Sequence, residues 1–439
     1  GVNEGRMRNL VSSFPEIQDE VVDLEPQDRA SLSASCKKWR VLGNSPCLWT
    51  SLDLRSHKFD VNVASSLASR CVHLQKLRFG VTGTKAAEAL PHLRAKNLRE
   101  LSVEIWDADI EAAFIFARHE LLQSLQFGQD LFGYNSITSD GIIAIARGCP
   151  SLNQLRLAGI VDVNADAINA LATYCPKLTD IGFIDCDSVD ELALGNVQSV
   201  RFLSVAGTLS MKWSVVSHLW HKLPNLTGLD VSGTDIGPSA VPRLLSLSLN
   251  LKILIALSCR ILEEETSFSA SKYKNKLLIS LSTDIFKGLG SLFFDNTNRG
   301  NNVFLDWRTS KSNNDKGVDE IIPWLEWMLS YNFFCSAAES PQQGGLDNFW
   351  VEQVASLLVC LMQSSQEDVQ EMAATGLATF VLMDDSINCG RAEAVIRYGG
   401  IRLLLGLAKS YREGLQLEAA EAIARLSTSA NVAKAIVEE

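Results

Sequence analysis

The chain has 439 residues, 46% apolar and 21% charged, and its formal net charge of −11 argues against a nucleic-acid partner, because phosphate contact needs clustered Lys and Arg. No run of about 18 apolar residues occurs, so no transmembrane helix and no membrane partner are expected. Ten cysteines without a Cys-x-x-Cys pair predict no zinc site and no other metal or cofactor.

The amino-terminal Gly-Val-Asn-Glu-Gly-Arg has no apolar signal-peptide core, which reads as reduced cytosolic or nuclear thiols. Residues 11–54 differ from everything after them. Pro15 suits the first turn of a helix and Pro26 ends it. A second helix is expected from about Asp28 to Leu42, with Leu32, Cys36 and Trp39 on one face. Phe14-Pro15, Asp28-Arg29, Cys36, Trp39-Arg40 and Pro46-x-Leu48-Trp49 resemble an F-box, the helical module that docks a Skp-type adaptor of an SCF ubiquitin ligase. The resemblance implies adaptor contacts through Phe14, Pro15, Val21, Val22, Leu32, Cys36 and Trp39. The interval from Pro15 to Asp28 is shorter than in that family, and Ile17-Gln-Asp-Glu is more polar. A helical cap over the open end of the following repeats is the second reading of this segment.

From Leu48 onward one pattern recurs. Leu152-x-x-Leu155-x-Leu157 has counterparts at Leu74/Leu77/Phe79, Leu98/Leu101/Val103, Leu122/Leu125/Phe127, Leu178/Ile181/Phe183, Val200/Leu203/Val205, Leu226/Leu229/Val231 and Leu251/Leu254/Ala256. The first apolar residues fall 24, 24, 30, 26, 22, 26 and 25 residues apart, from Leu74 to Leu251. That period is the leucine-rich-repeat signature. In a strand, Leu155 and Leu157 point one way and Gln154, Arg156 and Ala158 the other. Each repeat has too few apolar side chains to stand alone, so repeats must stack. The returns, such as Asp140 to Pro150 and Asp166 to Pro176, have helical spacing, which predicts an open horseshoe with helices outside. Its concave face would carry Lys76, Arg78, Glu100, Glu104, Gln126, Arg156, Asp180, Asp230 and Ile253, the charged ones among them being the candidate contacts for an unknown protein substrate. Cys186 and Cys259, three residues after the last strand apolar position, are expected to bond the turn backbone; Cys149 and Cys175 are expected to be buried.

After Cys259 the leucine period fails. Glu263-Glu264-Glu265 reads as a loop, and Leu277-Leu-Ile-Ser-Leu281 as one last strand. Polar stretches at Asn296–Asn302 and Thr309–Lys316 carry turn and loop chemistry. Trp324, Trp327 and Met328, at helical spacing, read as packing under the next domain or as a partner groove. A second periodicity begins near Leu346. Ser364-x-x-Glu367 has the form of a capping box. Val369 to Phe380 aligns with Leu415 to Leu426 at an offset of 46 residues, within the range of helical repeats. With the Gly399-Gly400-Ile401 bend and the Ala-Ala pairs, this region resembles armadillo repeats. Ala433 to Glu439 looks like the start of another repeat, so further repeats are expected beyond it.

The expected fold class is an α/β solenoid, a leucine-rich-repeat horseshoe, with an N-terminal helical F-box and a C-terminal all-α armadillo-type segment. The expected domains are 1–50 (F-box-like), 51–285 (leucine-rich repeats), 286–345 (connecting segment) and 346–439 (partial armadillo repeats). An F-box, leucine-rich repeats and armadillo repeats in one chain resemble the plant ARABIDILLO family. Stretches such as Cys47-Leu-Trp-Thr-Ser-Leu-Asp-Leu-Arg55 and Ser364 to Glu371 carry that resemblance. It implies a substrate-recruiting subunit of an SCF-type ubiquitin ligase, acting in root development, in the nucleus, with the cytoplasm as the alternative compartment. An interaction scaffold with a degenerate F-box is the other reading. No nucleophile constellation is apparent: His218 and His221 lack a carboxylate pattern and Gly288-Leu-Gly290 lacks the Lys of a phosphate loop, so no enzyme is expected.

Overall fold

The computed structural model describes residues 50–54, 59–80, 86–103, 118–127, 137–259, 261, 277–280, 318–336, 347–382, 390–409 and 413–439. The chain divides into two compact units near residues 268–277.

The first unit is an α/β repeat. Its strands are β1 (Ser51–Leu54), β2 (Lys76–Phe79), β3 (Glu100–Val103), β4 (Ser124–Phe127), β5 (Gln154–Ala158), β7 (Asp180–Ile184), β9 (Phe202–Ser204), β10 (Gly228–Asp230) and β11 (Ile253–Ala256). All of them pair in parallel, each with its neighbour in that order. Two-residue strands β6 (Asp162–Val163) and β8 (Ser188–Val189) pair in parallel beside them. The returns carry helices α1 (Val61–Leu67), α2 (Ala86–His92), α3 (Ser139–Gly148), α4 (Ala165–Tyr174), α5 (Glu191–Leu194), α6 (Trp213–Leu219) and α7 (Ala240–Leu247).

The register explains why the leucine pattern builds this sheet. Leu52, Leu77, Leu101, Leu125, Leu155, Ile181, Leu203, Leu229 and Leu254 lie opposite one another on successive strands, and every one of them is buried. A slip of one residue would turn this whole column to the other face, so the apolar period fixes the register. Leucines three residues earlier, Leu74, Leu98, Leu122, Leu152, Leu178, Leu226 and Leu251, are buried beneath the strands. Helices begin at residues that cap them: Asp60 Oδ1 accepts from Val63 N (2.9 Å), Asn164 Oδ1 from Ala167 N (3.0 Å) and Asp190 Oδ1 from Ala193 N (2.8 Å). Each cap satisfies an N–H that the helix itself leaves open.

Two recurrent positions hold the repeats to each other. Two residues past the second strand apolar position, Gly159, Asp185, Gly207, Gly233 and Ser258 all have positive φ, between 52° and 74°. One residue further, Thr208 Oγ1 donates to Phe183 O (3.4 Å) and Cys259 Sγ to Val231 O (3.3 Å), each in the preceding repeat. Cys186 Sγ meets Ile184 O at 3.6 Å. The backbone role expected of Cys186 and Cys259 is therefore seen. Before the strands, Asn97 Nδ2 donates to Val72 O (3.1 Å) and Asn225 Nδ2 to Gln198 O (3.2 Å); Asn250 repeats the contact with Pro224 O. These asparagines stitch each repeat to the one before.

Leu277–Ser280 is a strand (β12). The second unit is otherwise helical among its described residues: α8 (Val318–Ser336), α9 (Asp347–Leu361), α10 (Glu367–Leu382), α11 (Arg391–Arg397), α12 (Gly400–Ala408), α13 (Glu413–Leu426) and α14 (Ala430–Glu438). The expected connecting segment 286–345 thus contains a long helix, and α8 packs on α10. Trp324, Trp327 and Met328 on α8 are buried, with Trp327 Nε1 donating to Asp368 Oδ2 (3.1 Å) and its ring stacked on Tyr331. They are core, not an open groove. Helices α10 and α13 begin 46 residues apart and pack against each other. Gly399, at φ 78°, turns the chain between α11 and α12. Ser364 does not close the expected capping box in the expected way. Its Oγ accepts from Gln366 N (3.1 Å), one residue short of Glu367, and bonds the buried carboxylate of Glu326 on α8.

Candidate functional site

The candidate site is the face of the sheet that does not carry the leucine column. Two rows of side chains lie there. One runs Ser51, Lys76, Glu100, Ser124, Gln154, Asp180, Phe202, Gly228, Ile253; the other runs Asp53, Arg78, Ser102, Gln126, Arg156, Gly182, Ser204, Asp230, Ile255. Every expected contact residue among the described ones falls in these two rows. Glu104 lies outside the described residues, as do Phe14, Pro15, Val21, Val22, Leu32, Cys36 and Trp39.

The rows change character along the sheet. On β1–β4 they are polar and, Arg78 apart, at least partly open: Ser51 and Glu100 are exposed, and Asp53, Lys76, Ser102, Ser124 and Gln126 half-buried. Lys76 Nζ lies 3.8 Å from Glu100 Oε2. From Arg156 onward the rows are buried, and they end in apolar Phe202, Ile253 and Ile255.

This corrects the expectation of an open charged surface at four positions. Arg78, Arg156, Asp180 and Asp230 are buried. Arg156 and Asp180 satisfy each other: Nη2 is 2.7 Å from Oδ2 and Nε 3.4 Å from Oδ1. Gln154 Nε2 also donates to Asp180 Oδ2 (3.2 Å), while its Oε1 accepts from Ser124 Oγ (2.6 Å). Asp230 is tied to Ser204 Oγ (3.1 Å), Ser232 Oγ (2.6 Å) and Ser232 N (3.1 Å), and Ser232 Oγ in turn accepts from Leu257 N (3.0 Å). A buried charge is tolerated only with such partners. These residues brace neighbouring strands, whereas Lys76, Glu100, Asp53 and Gln126 remain within reach of a partner.

Other candidates resolve into structure. His218 sits against Arg243 Nη1 (2.9 Å), whereas His221 Nδ1 faces Ser217 O (3.0 Å), so the two imidazoles serve different partners. Among the described residues, no group of three His, Cys, Asp or Glu could hold a metal ion, and no helix is long and apolar enough to cross a membrane. Burial pushes the thiols of Cys71, Cys175, Cys186 and Cys259 up to about 12 and that of Cys149 up as well, which suits packing rather than nucleophilic chemistry. Gly288-Leu-Gly290 lies outside the described residues.

Comparison with known proteins places this architecture. An F-box-like family pattern matches residues 18–55. The chain is 57% identical over 410 residues to Protein ARABIDILLO 1 of Arabidopsis thaliana, and 53% identical over 416 residues to Protein ARABIDILLO 2 of the same plant, covering 92% and 93% of itself. Over these residues the chain is similar to both ARABIDILLO proteins. It spans 43% and 44% of the lengths of those two relatives. The F-box-like match begins past Phe14 and Pro15 and includes Val21, Val22, Leu32, Cys36 and Trp39. A chain in the crystal structure of a yeast Rad7–Elc1 complex aligns with 63% of this chain and 92% of its own length, at 15% identity and a TM-score of 0.28; a likeness that loose carries no argument.

Proposed function

We propose that this ARABIDILLO relative is the substrate-recruiting subunit of an SCF-type ubiquitin ligase. Its F-box-like segment docks a Skp-type adaptor. Its strand repeats, read as a leucine-rich-repeat horseshoe, and its armadillo-type helices hold a protein substrate. The reading rests on one observation above others: an F-box-like segment at residues 18–55 runs directly into a stacked parallel sheet whose first strand begins at Ser51. Such a chain needs no catalytic residue, because bringing a substrate close to the ligase raises its effective concentration there. We place its work in the nucleus, with the cytoplasm as the alternative, and in root development, on the strength of the family resemblance.

Within the F-box, Val21, Val22, Leu32, Cys36 and Trp39 are the apolar anchors, since buried aromatic and aliphatic side chains dominate interfaces. Phe14 and Pro15 extend that anchor. Co-purification of the full chain with a plant Skp-type adaptor tests the reading. Binding that falls by roughly tenfold or more in Trp39→Ala, with an unchanged circular-dichroism spectrum, is expected. Absence of adaptor binding by the folded wild-type chain would overturn it. That outcome would favour a scaffold whose degenerate F-box only caps the repeats, a reading that the start of the family match beyond Phe14-Pro15 supports.

A further inference from the structure

Past β5, β7, β9 and β10 the chain presents one residue two places beyond the positive-φ position. In successive repeats that residue is Val161, Asp187, Leu209 and Asp235. The first three are stacked. Ser188 N donates to Val161 O (3.1 Å), Asp162 pairs with Ser188, and Ser188 bridges to Ser210. Val161, Asp187 and Leu209 therefore stand on consecutive steps of a short parallel ladder. Val161 is 66% and Leu209 70% exposed, and Asp187 between them is exposed as well.

Single apolar side chains on a surface are ordinary. Two of them held on alternate steps of a hydrogen-bonded ladder are a different matter, because the backbone that carries them is already fixed. Two ladder steps set the side chains about 10 Å apart, close to the roughly 9 Å that a polyproline II segment rises over three residues, one full turn, which returns the third side chain to the face of the first. The rim is acidic: Asp162, Asp185 and Asp235 are exposed around the apolar pair. Lys212 is the nearby cation in sequence, and its backbone N–H donates to Glu191 Oε1 (2.6 Å).

We propose that this ladder is a docking strip for a cationic protein segment, one with two apolar side chains three residues apart and Lys or Arg between them. The apolar pair would seat on Val161 and Leu209, and the cation would meet Asp187. Charge selects this occupant over the others. A second copy of the chain would bring a net charge of −11 to an acidic strip, and nucleic acid and anionic lipid would meet the same repulsion. The proposal does not depend on the adaptor reading, since residues 18–55 take no part in it.

Selection from a random displayed-peptide library on the full chain tests it, with no adaptor present, so failure here leaves the ligase reading untouched. Enriched peptides are expected to carry Lys or Arg between Leu, Ile, Val or Phe, and to bind more weakly as salt rises. Their affinity should fall roughly tenfold or more for V161S/L209S and for Asp187→Lys. Because all three side chains are exposed, the variants should melt as the wild type does, and Asp187→Asn gives a charge-only control. No enrichment, enrichment of neutral or acidic peptides, or equal binding by the variants would overturn the proposal.

Discussion

Arg156 and Asp180 meet across β5 and β7 with their side chains 5% and 12% exposed. Truncating one partner strands the other, which costs about 3–5 kcal/mol for a buried pair. Asp180→Ala should lower the unfolding free energy of the first unit by that much in a urea titration, whereas Arg156→Met with Asp180→Leu should recover most of the loss. Gly207 makes a second test. Its φ is 74°, and a Cβ there would lie 1.9 Å from Asp185 Oδ1 and 3.2 Å from Asp185 Cα. Gly207→Ala should cost about 1–3 kcal/mol, read in the same melt. The buried thiols give a pH dependence. Their folded values of about 12 stand above the ordinary 9.0. An unfolded chain therefore sheds these protons first, and stability is expected to be intact below pH 9 and to decline as pH rises through 9 toward 12. Denaturant titrations on both sides of pH 9 would show it, and thiol reagents at neutral pH should label these residues only after unfolding.

Elements were legible in the sequence to unequal degrees, for physical reasons. The strands were plain because each needs two apolar side chains at alternate positions, and only burial against a neighbouring repeat makes that pattern useful. Helix starts were less plain: Asn164 and Asp190 cap by side-chain geometry that the apolar period does not report. The site was read half correctly. A buried charged residue and a solvated one look alike when both alternate with leucine; Arg156 is recognised as a brace only once Asp180 is known to stand one strand away. Likewise the tryptophans of α8 fitted either a groove or a core. Two element-scale expectations follow. Asn164→Ala removes the cap of α4 and should cost about 1 kcal/mol, measured by thermal melting. Ser364→Ala deprives buried Glu326 of a hydrogen bond and should cost about 1–3 kcal/mol, with faster hydrogen exchange in α8.

Across the first unit, stability is shared between neighbours, as expected when each repeat buries its sides against the next. Leu203 lies in the shared column between Ile181 and Leu229. Leu203→Ala should cost about 3 kcal/mol, and exchange of amide hydrogens should quicken in β7 and β10 before it does in β1. The same interdependence explains why the charge and composition of the whole chain revealed so little about where a partner would sit. Reachable and unreachable polar groups occupy the same rows, and only the position along the sheet separates Glu100 from Asp180.

The column also says something about how such a chain can lengthen or shorten. Ile181, Leu203 and Leu229 are interchangeable occupants of one slot, and each is followed by a return of its own length. Copying the stretch from Leu203 through Gly228 once in tandem would add a rung whose two sides fit the existing neighbours. Excising it would bring Leu229 beside Ile181, while taking Ser204 from Asp230 and Thr208 from Phe183 O. A gene that grows or shrinks by whole turns of this kind changes the reach of the product while keeping the column continuous.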